Sequence, residues 1–476
     1  MCTDVDISTF LCYNIEACVK MYHAISTPLH RIILRLTGRG FMKIKIIEKP
    51  YSEVIAEYKA KKEKHKKPKR PSIFFRTLMK LVALPELLST HFKCERVGVE
   101  RLGKREPAFI LMNHSSFIDL EIVAEVLYPR PFNIVATTDG FIGKDWLMRE
   151  IGCIPTKKFV TDTTLVRDML YTARNLRDSI VMYPEVGYSH DGTATTLPDS
   201  IGKCVKLLGL PLCMITTYGA FARDPLYNNL HKRKVDVSAR FEYLLSPDEI
   251  KEKSAEEINE IVREKFSFDN FSWQENNHVK IDDSTRAEGL NRVLYKCPEC
   301  KCEGKMLGEG IYLECTECGA KYRLDEYGAL TGENVDCKMP HIPDWYAWQR
   351  EEVKAELERG EYEIDAAVDI MVSVDTKRLF HVGCGRLIHN SDGFRLISDD
   401  GELEYVQTPL ASYSVNADFN WYELGDIIGI GNSECLYYCF PKEKGDIVSK
   451  IRFAAEELYK IKIKEKEDGE NASATV

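Results

Sequence analysis

A histidine and an aspartate five residues apart, His114 and Asp119, lie where an apolar run breaks and resumes: Phe109-Ile-Leu-Met-Asn-His-Ser-Ser-Phe-Ile-Asp119. An imidazole held by a carboxylate is a general base, because the carboxylate fixes one ring nitrogen as donor and leaves the other free to take a proton from a hydroxyl. Residues five apart on one helix are separated by about 140°, so a single helix carrying both would point them apart. They meet if His114 lies in a turn and Asp119 in the helix that follows. The residues fit that arrangement. Phe109 to Met112 reads as a short buried strand, and Ile118, Ile122, Val123, Val126 and Leu127 recur at helical spacing over Phe117 to Tyr128. Ser116 is the expected N-cap, with Asp119 at N3. The alternative is a plain capping box, S-x-x-D before an apolar run, with His114 a turn residue.

A second group of residues points to metal. Cys297-Pro-Glu-Cys300 and Cys315-Thr-Glu-Cys318-Gly319 are two C-x-x-C knuckles, whose separation lets four thiolates converge on one tetrahedral zinc. With Cys297, Cys300, Cys315 and Cys318 filling all four positions, the zinc is expected to be structural. Cys302 is an alternative ligand that breaks the knuckle pattern. The pattern resembles a zinc ribbon. Glu299, Glu303, Glu309, Glu314 and Glu317 surround it, which argues against a nucleic-acid face and for a folding or protein-contact role.

The elements around His114 alternate. Phe132 to Thr137, Ser179 to Tyr183 and Pro211 to Tyr218 read as strands, Thr164 to Arg177 as an amphipathic helix, and Ser246-Pro-Asp-Glu-Ile opens a charged helix that runs to about Phe266. This is an α/β layer pattern.

Asn113-His-Ser-Ser-Phe-Ile-Asp119 resembles the NHx4D motif of the glycerol-3-phosphate and lysophosphatidate acyltransferase family. Three further blocks follow in the family's order: Gly152-Cys-Ile-Pro-Thr-Lys-Lys158 is similar to G-x-I-P-x-x-R, Tyr183-Pro-Glu-Val-Gly-Tyr-Ser189 to F-P-E-G-T-R-S, and Leu210-Pro-Leu212 to V-P-V. The resemblance covers roughly Ser72 to Leu245. It implies a mostly parallel sheet flanked by helices, and acyl transfer from acyl-CoA or acyl-carrier protein to a lysophospholipid-type hydroxyl. His114 and Asp119 are then catalytic, and Asn113, Lys157, Lys158, Glu185 and Gly187 bind substrate. For Glu185, a structural acceptor of backbone N–H groups is the other reading. Where the family has G-T-R this chain has Val186-Gly187-Tyr188, and the arginine of the second block aligns with Lys158. Lysine offers phosphate a point charge and tyrosine a single hydroxyl in place of a planar fork, so phosphate recognition is expected to be weakened or rebuilt. A lipid-binding scaffold that kept the fold and lost turnover is the rival expectation.

The chain of 476 residues, 44% hydrophobic, has room for two or three cores, and its formal charge of −9 argues against a general polyanion binder. The expected domains are a helical and basic segment at 1–71, the acyltransferase domain at 72–275, the zinc ribbon at 291–335, a β-rich domain closed by one C-terminal helix at 340–463, and an unordered tail at 464–476. The β-rich part, with strands expected at Ala366 to Val374, Phe380 to Cys384, Gly393 to Ser398, Tyr405 to Pro409, Ser412 to Asn416, Trp421 to Gly425 and Glu434 to Phe440 and a helix at Asp446 to Ile461, resembles a pleckstrin-homology or GRAM-like module in architecture alone. Trp345 and Trp348 are expected to dock their helix on a neighbouring domain.

Near the N-terminus, Ile15, Cys18, Val19, Tyr22 and Ile25 recur at helical spacing, and Leu29 to Leu36 is a second helix candidate. Eight Lys and Arg residues crowd Tyr58 to Pro71, ahead of the amphipathic Ser72 to Leu84. That combination suits binding to an anionic membrane surface. Sixteen cysteines, a start without a basic leader and the lack of a spanning apolar run suggest a cytoplasmic protein, peripheral on the cytoplasmic membrane face.

Overall fold

The structure, a computed structural model, describes residues 44–60, 64–160, 162–443 and 447–474. The two helix candidates before residue 44, and Lys61 and Lys62 of the basic cluster, lie outside them.

Phe109–Met112 is the middle strand of a seven-stranded sheet. The order is Lys93–Val97, Ser238–Leu245, Leu212–Tyr218, Phe109–Met112, Ser179–Met182, Phe132–Thr137, Cys153–Thr156. Neighbours pair parallel, except that Leu212–Tyr218 and Ser238–Leu245 run antiparallel. All four residues of the middle strand are buried, which is why it reads as a continuous apolar run. Ile110 and Met112 face Ala83, Leu87, Ile122 and Val126, from the helices Ile73–Ser89 and Ile118–Leu127. Phe109 and Leu111 face Ile201, Val205, Ile258 and Val262, from Ser200–Leu208 and Ala255–Phe266. The helix expected over Thr164 to Arg177 is α-helical at Thr163–Tyr171 and widens into a π turn at Thr172–Leu176.

The basic segment before this domain is a strap laid across it. His65 pairs with Asp168 (2.9 Å), Lys66 with Asp145 (3.0 Å), Lys69 with Glu150 (2.6 Å) and Arg70 with Asp178 (2.7 Å). Asn133 Nδ2 donates to the Lys69 carbonyl at 2.8 Å. Asp178 is fully buried, so Arg70 answers a charge that water does not reach. These contacts tie the segment to acidic groups of the domain, while Lys66, Lys69 and Arg70 keep about half of their side-chain surface exposed. The segment expected as one unit at 1–71 also divides: Ile46–Glu48 adds a parallel strand to the C-terminal sheet, beside Leu379, Phe380 and His381.

Beyond residue 290 lie two further β-rich layers. Met306–Glu309, Tyr312–Cys315, Lys321–Leu324 and Leu330–Gly332 form a small antiparallel sheet. The helix Ile342–Glu358 docks against its stem, as the tryptophans suggested: Trp345 is fully buried, its Nε1–H donates to the Lys296 carbonyl at 3.0 Å, and Gln349 accepts from Lys296 N at 2.9 Å. The larger sheet runs Glu404–Gln407, Gly393–Ser398, Leu379–Asn390, Ile364–Ser373, Leu436–Pro441, Gly425–Gly431, Asn416–Trp421. Ser412 to Asn416, expected as a strand, instead leads into the strand Asn416–Trp421, and Trp421 to Gly425 is the turn after it. The final helix, Ile447–Ala474, continues through residues assigned from composition to an unordered tail. Its lysines and glutamates pair at helical spacing, as Lys462 does with Glu465 at 2.9 Å.

Candidate functional site

Three of the four sequence motifs reach the carboxyl ends of the parallel strands, the edge where open α/β sheets present their ligand sites, whereas Leu210-Pro-Leu212 lies at the amino end of its strand. His114 and Ser115 leave Phe109–Met112, Glu185 and Tyr188 follow Ser179–Met182, Asp139 follows Phe132–Thr137, and Lys157 and Lys158 follow Cys153–Thr156.

His114 Nδ1 lies 3.0 Å from Asp119 Oδ2. The same oxygen accepts from the backbone N–H groups of Ser115 (2.8 Å) and Ser116 (3.1 Å). Ser116 therefore does not cap the helix: Phe117 is the N-cap, the Ser116 hydroxyl has no partner, and the carboxylate of Asp119 folds back to satisfy the turn. With Nδ1–H donated to a carboxylate, the lone pair of the imidazole is at Nε2. The His114 side chain keeps 20% of its surface exposed, against 1% for Asp119. The imidazole is thus partly open to solvent, with the carboxylate sealed behind it.

Two tyrosine rings flank the imidazole. Tyr183 stacks on it at 4.1 Å between centroids, and Tyr188 lies at 4.2 Å and 36°. Phe117, 52% exposed, meets the edge of Tyr188 at 5.9 Å. Burial pushes both tyrosine hydroxyls well above their usual range, with the charge of Asp119 adding to it.

Glu185 is a backbone acceptor at both oxygens. Oε2 takes the His114 N–H at 2.8 Å and Oε1 the Thr195 N–H at 2.9 Å. Burial pushes its carboxyl up to about 7, against the two backbone donors and the charge of Arg452. Its geometry is that of the structural alternative: it ties the turn carrying His114 to the loop 189–196. Val186, at φ +63°, occupies the left-handed region there, a conformation that a β-branched residue takes at a cost. Gly187 follows, its N–H donating to the Glu185 carbonyl at 2.7 Å.

The remaining substrate-binding candidates are engaged with protein. Asn113 is buried; its Oδ1 accepts from Thr217 N at 2.8 Å and its Nδ2 donates to Ser115 Oγ at 3.0 Å, fastening the turn to the neighbouring strand. Lys157 Nζ donates to the Ser433 carbonyl at 2.5 Å. Lys158 Nζ lies 3.6 Å from Asp418 and 3.9 Å from Asp139. Both lysines reach the C-terminal β-rich region.

That region borders the site along one side, which the sequence did not disclose. His190 is buried, with Nε2 3.2 Å from the Ala417 carbonyl and its ring 4.6 Å from Phe419. Trp421 Nε1–H donates to Asp139 at 3.3 Å. Glu456, on the final helix, accepts from Thr196 Oγ1 (3.2 Å) and Ser414 Oγ (2.8 Å), and pairs with Arg350 (2.7 Å) and Arg452 (3.1 Å). Burial alone would push Glu456 up, but the two guanidinium groups hold it down to about 2. No motif marks Arg350, Arg452 or Glu456; Arg452 and Glu456 pair within one helix, but Arg350, Thr196 and Ser414 reach Glu456 from distant parts of the chain.

The sulfurs of Cys297, Cys300, Cys315 and Cys318 all fall within 4.8 Å of one another, with two pairs at 3.7 Å. Four sulfurs around a zinc with bonds of about 2.3 Å stand roughly 3.8 Å apart, so the group can hold a metal. The two knuckles share one turn, with Lys301 N donating to the Cys297 carbonyl (3.0 Å) and Gly319 N to that of Cys315 (2.8 Å). Cys302 stays outside the group and offers its carbonyl to Cys297 N at 2.9 Å.

Residues 93–216 match the family model described as Acyltransferase. The chain is also similar to the crystal structure of the 1-acyl-sn-glycerophosphate (LPA) acyltransferase PlsC from Thermotoga maritima. That likeness is 15% identical with a TM-score of 0.34, covering 40% of this chain and 76% of the other. No curated protein matches the sequence. The chain carries an acyltransferase domain over residues 93–216, and the protein is an acyltransferase by virtue of it.

Proposed function

We propose that the protein transfers a fatty acyl group from an acyl-CoA or acyl-carrier-protein thioester to the hydroxyl of a lysophospholipid or related lipid alcohol, with His114 as general base. The observation that carries this reading is the 3.0 Å contact between His114 Nδ1 and an Asp119 carboxylate already holding two backbone N–H groups, inside an acyltransferase domain. Nε2 takes the acceptor's proton as its oxygen attacks the thioester carbonyl. The tetrahedral adduct collapses with loss of thiolate, and the imidazolium returns the proton to the leaving sulfur. Asp119 keeps the tautomer and stabilises the imidazolium. Glu185 acts by holding the turn, and Tyr183 and Tyr188 wall the imidazole.

The Cys297, Cys300, Cys315, Cys318 group is proposed to hold a structural zinc in a ribbon, and the sheet closed by Ile447–Ala474 to be an accessory module of pleckstrin-homology or GRAM-like architecture. No helix among the described residues is long and apolar enough to cross a membrane. Peripheral attachment to an anionic membrane is proposed through Ile73, Phe74, Leu81 and Leu88 on one helix and Trp146 beside it, all more than half exposed. A lipid-binding scaffold without turnover is the second reading, favoured by the Tyr188 ring resting on the imidazole. Transfer of labelled acyl groups to vesicle lipids separates the two: turnover lost in His114→Ala supports the enzyme, and its absence in a folded wild type supports the scaffold.

A further inference from the structure

The grip on His114 extends beyond Asp119, and one short segment supplies most of it. Tyr183-Pro-Glu-Val-Gly-Tyr188 leaves the strand Ser179–Met182 and turns back on itself, with Val186 N donating to the Tyr183 carbonyl at 3.1 Å. The reversal brings both ends of the segment to the histidine. Its middle, Glu185, accepts the His114 N–H at 2.8 Å, and the next residue along, Ser189, donates its N–H to the His114 carbonyl at 3.0 Å. The two tyrosine rings stand 4.1 and 4.2 Å from the imidazole between centroids, closer than the roughly 4.5 to 7 Å usual for aromatic pairs. At that distance each ring lies over a face of the imidazole, and two such rings cannot share one face. The imidazole is therefore sandwiched. Phe117, the N-cap of the helix that carries Asp119, braces Tyr188 from outside, edge-on at 5.9 Å.

The sandwich has two consequences. A flip of the imidazole would sweep its edge through both rings, so Nδ1 stays on Asp119 and the base is oriented before reaction. The imidazole also becomes a cation when it takes a proton, and a cation over an aromatic face is attracted by the ring quadrupole. That attraction grows as the proton is transferred, and an interaction that strengthens on the way to the transition state lowers the barrier. The proton travels in the plane of the imidazole, where the Nε2 lone pair lies, so rings over the two faces do not stand in its path. The rings and not their hydroxyls are the working parts. Burial holds the proton loss of both tyrosines well above the usual range, and the Tyr183 hydroxyl has no hydrogen-bond partner among the described residues.

We propose that Tyr183 and Tyr188 are positioning residues that act through His114, clamping both faces of its ring and stabilising with their π faces the imidazolium formed as the acceptor hydroxyl is deprotonated. The proposal rests on the acyl-transfer reading and deepens it: the charge formed on the base is answered by two aromatic rings as well as by Asp119.

The test is the single-turnover rate of transfer on the full-length protein loaded with zinc, with labelled acyl-CoA or acyl-carrier protein as donor and vesicles containing monoacylglycerol, lysophosphatidate and lysophosphatidylglycerol. Variants are compared at matched melting temperature. Tyr188→Leu should lower the rate by about 3- to 30-fold, the range for one cation–π contact, and Tyr188→Phe should recover most of that loss. Phenylalanine bearing one, two or three ring fluorines at position 188, and separately at 183, keeps the shape of the ring while draining its π face. The rate should fall stepwise along each series. A rate that stays level along a series in folded protein overturns the role of that ring, because a purely steric wall is indifferent to fluorine. A loss in Tyr188→Phe equal to that in Tyr188→Leu assigns the effect to the hydroxyl and overturns the proposal for Tyr188. Both results leave the acyl-transfer reading standing. No His114-dependent transfer from the wild type removes that reading, and this proposal with it.

Discussion

Asp119 holds the residue scale together, because one carboxylate oxygen serves the imidazole and two backbone N–H groups at once. That economy was half legible. The spacing in Asn113-His-Ser-Ser-Phe-Ile-Asp119 located the pair because a turn followed by a helix is local geometry. The cap was misread, since a serine before an apolar helix usually accepts a backbone N–H at its own hydroxyl oxygen, and here the aspartate serves the turn instead as a charged acceptor. Asp119→Asn keeps the shape and removes the charge. Its amide offers one oxygen and an N–H that opposes the imidazole donor. The expected outcome in a steady-state assay is a fall in kcat of about 10²-fold or more, with KM for the acyl donor little changed. A variant with full kcat would show that His114 does not need its tautomer fixed.

Elements transmit this order further than any motif reveals. The final helix reaches the site through Glu456, which binds Thr196; the next residue back, Thr195, donates to Glu185; and Glu185 accepts from His114 N. Both of its carboxylates, Glu185 and Glu456, are buried, so it has little slack. Its members were invisible in sequence for a plain reason: Thr196 and Glu456 are 260 residues apart, and neither periodicity nor spacing carries information over that distance. The same holds for Lys157 and Lys158, whose contacts with the β-rich region no local spacing discloses. Glu456→Gln leaves Arg350 and Arg452 sharing a neutral amide in a buried place, which costs about 3 kcal/mol in stability. Assayed below its melting temperature, the variant should show reduced kcat with KM near wild type, and Glu456→Asp should recover part of it. Wild-type kcat in Glu456→Gln would detach the helix from the site.

At the scale of the whole molecule, the small cysteine sheet links the two larger layers. Trp345 and Gln349 bind the chain just ahead of the first knuckle, and the helix that carries them also bears Arg350, the partner of Glu456 on the final helix. The knuckles were readable because four ligands in two C-x-x-C pairs are local signals. The alternation of strands and helices gave the α/β class for the same reason, whereas the strap formed by residues 64–71 read as a charge cluster until its acidic partners were seen. If zinc fills the cysteine group, metal analysis will give one zinc per chain, lost in Cys315→Ser. Chelation should then lower the melting temperature of the full chain by several degrees, since a bound structural metal contributes folding free energy directly. Melting that ignores both chelation and Cys315→Ser would rule out a structural metal.

The claim on which the rest depends is that His114 is the base of an acyl transfer. The direct measurement is single-turnover transfer of a labelled acyl group from acyl-CoA and from acyl-carrier protein to lipid hydroxyls on anionic vesicles, comparing wild type with His114→Ala at matched melting temperature. The account predicts acylated lipid and stoichiometric free thiol from the wild type with at least one donor, and loss of both in the variant by about 10²-fold or more. Equal rates in the two proteins would contradict it.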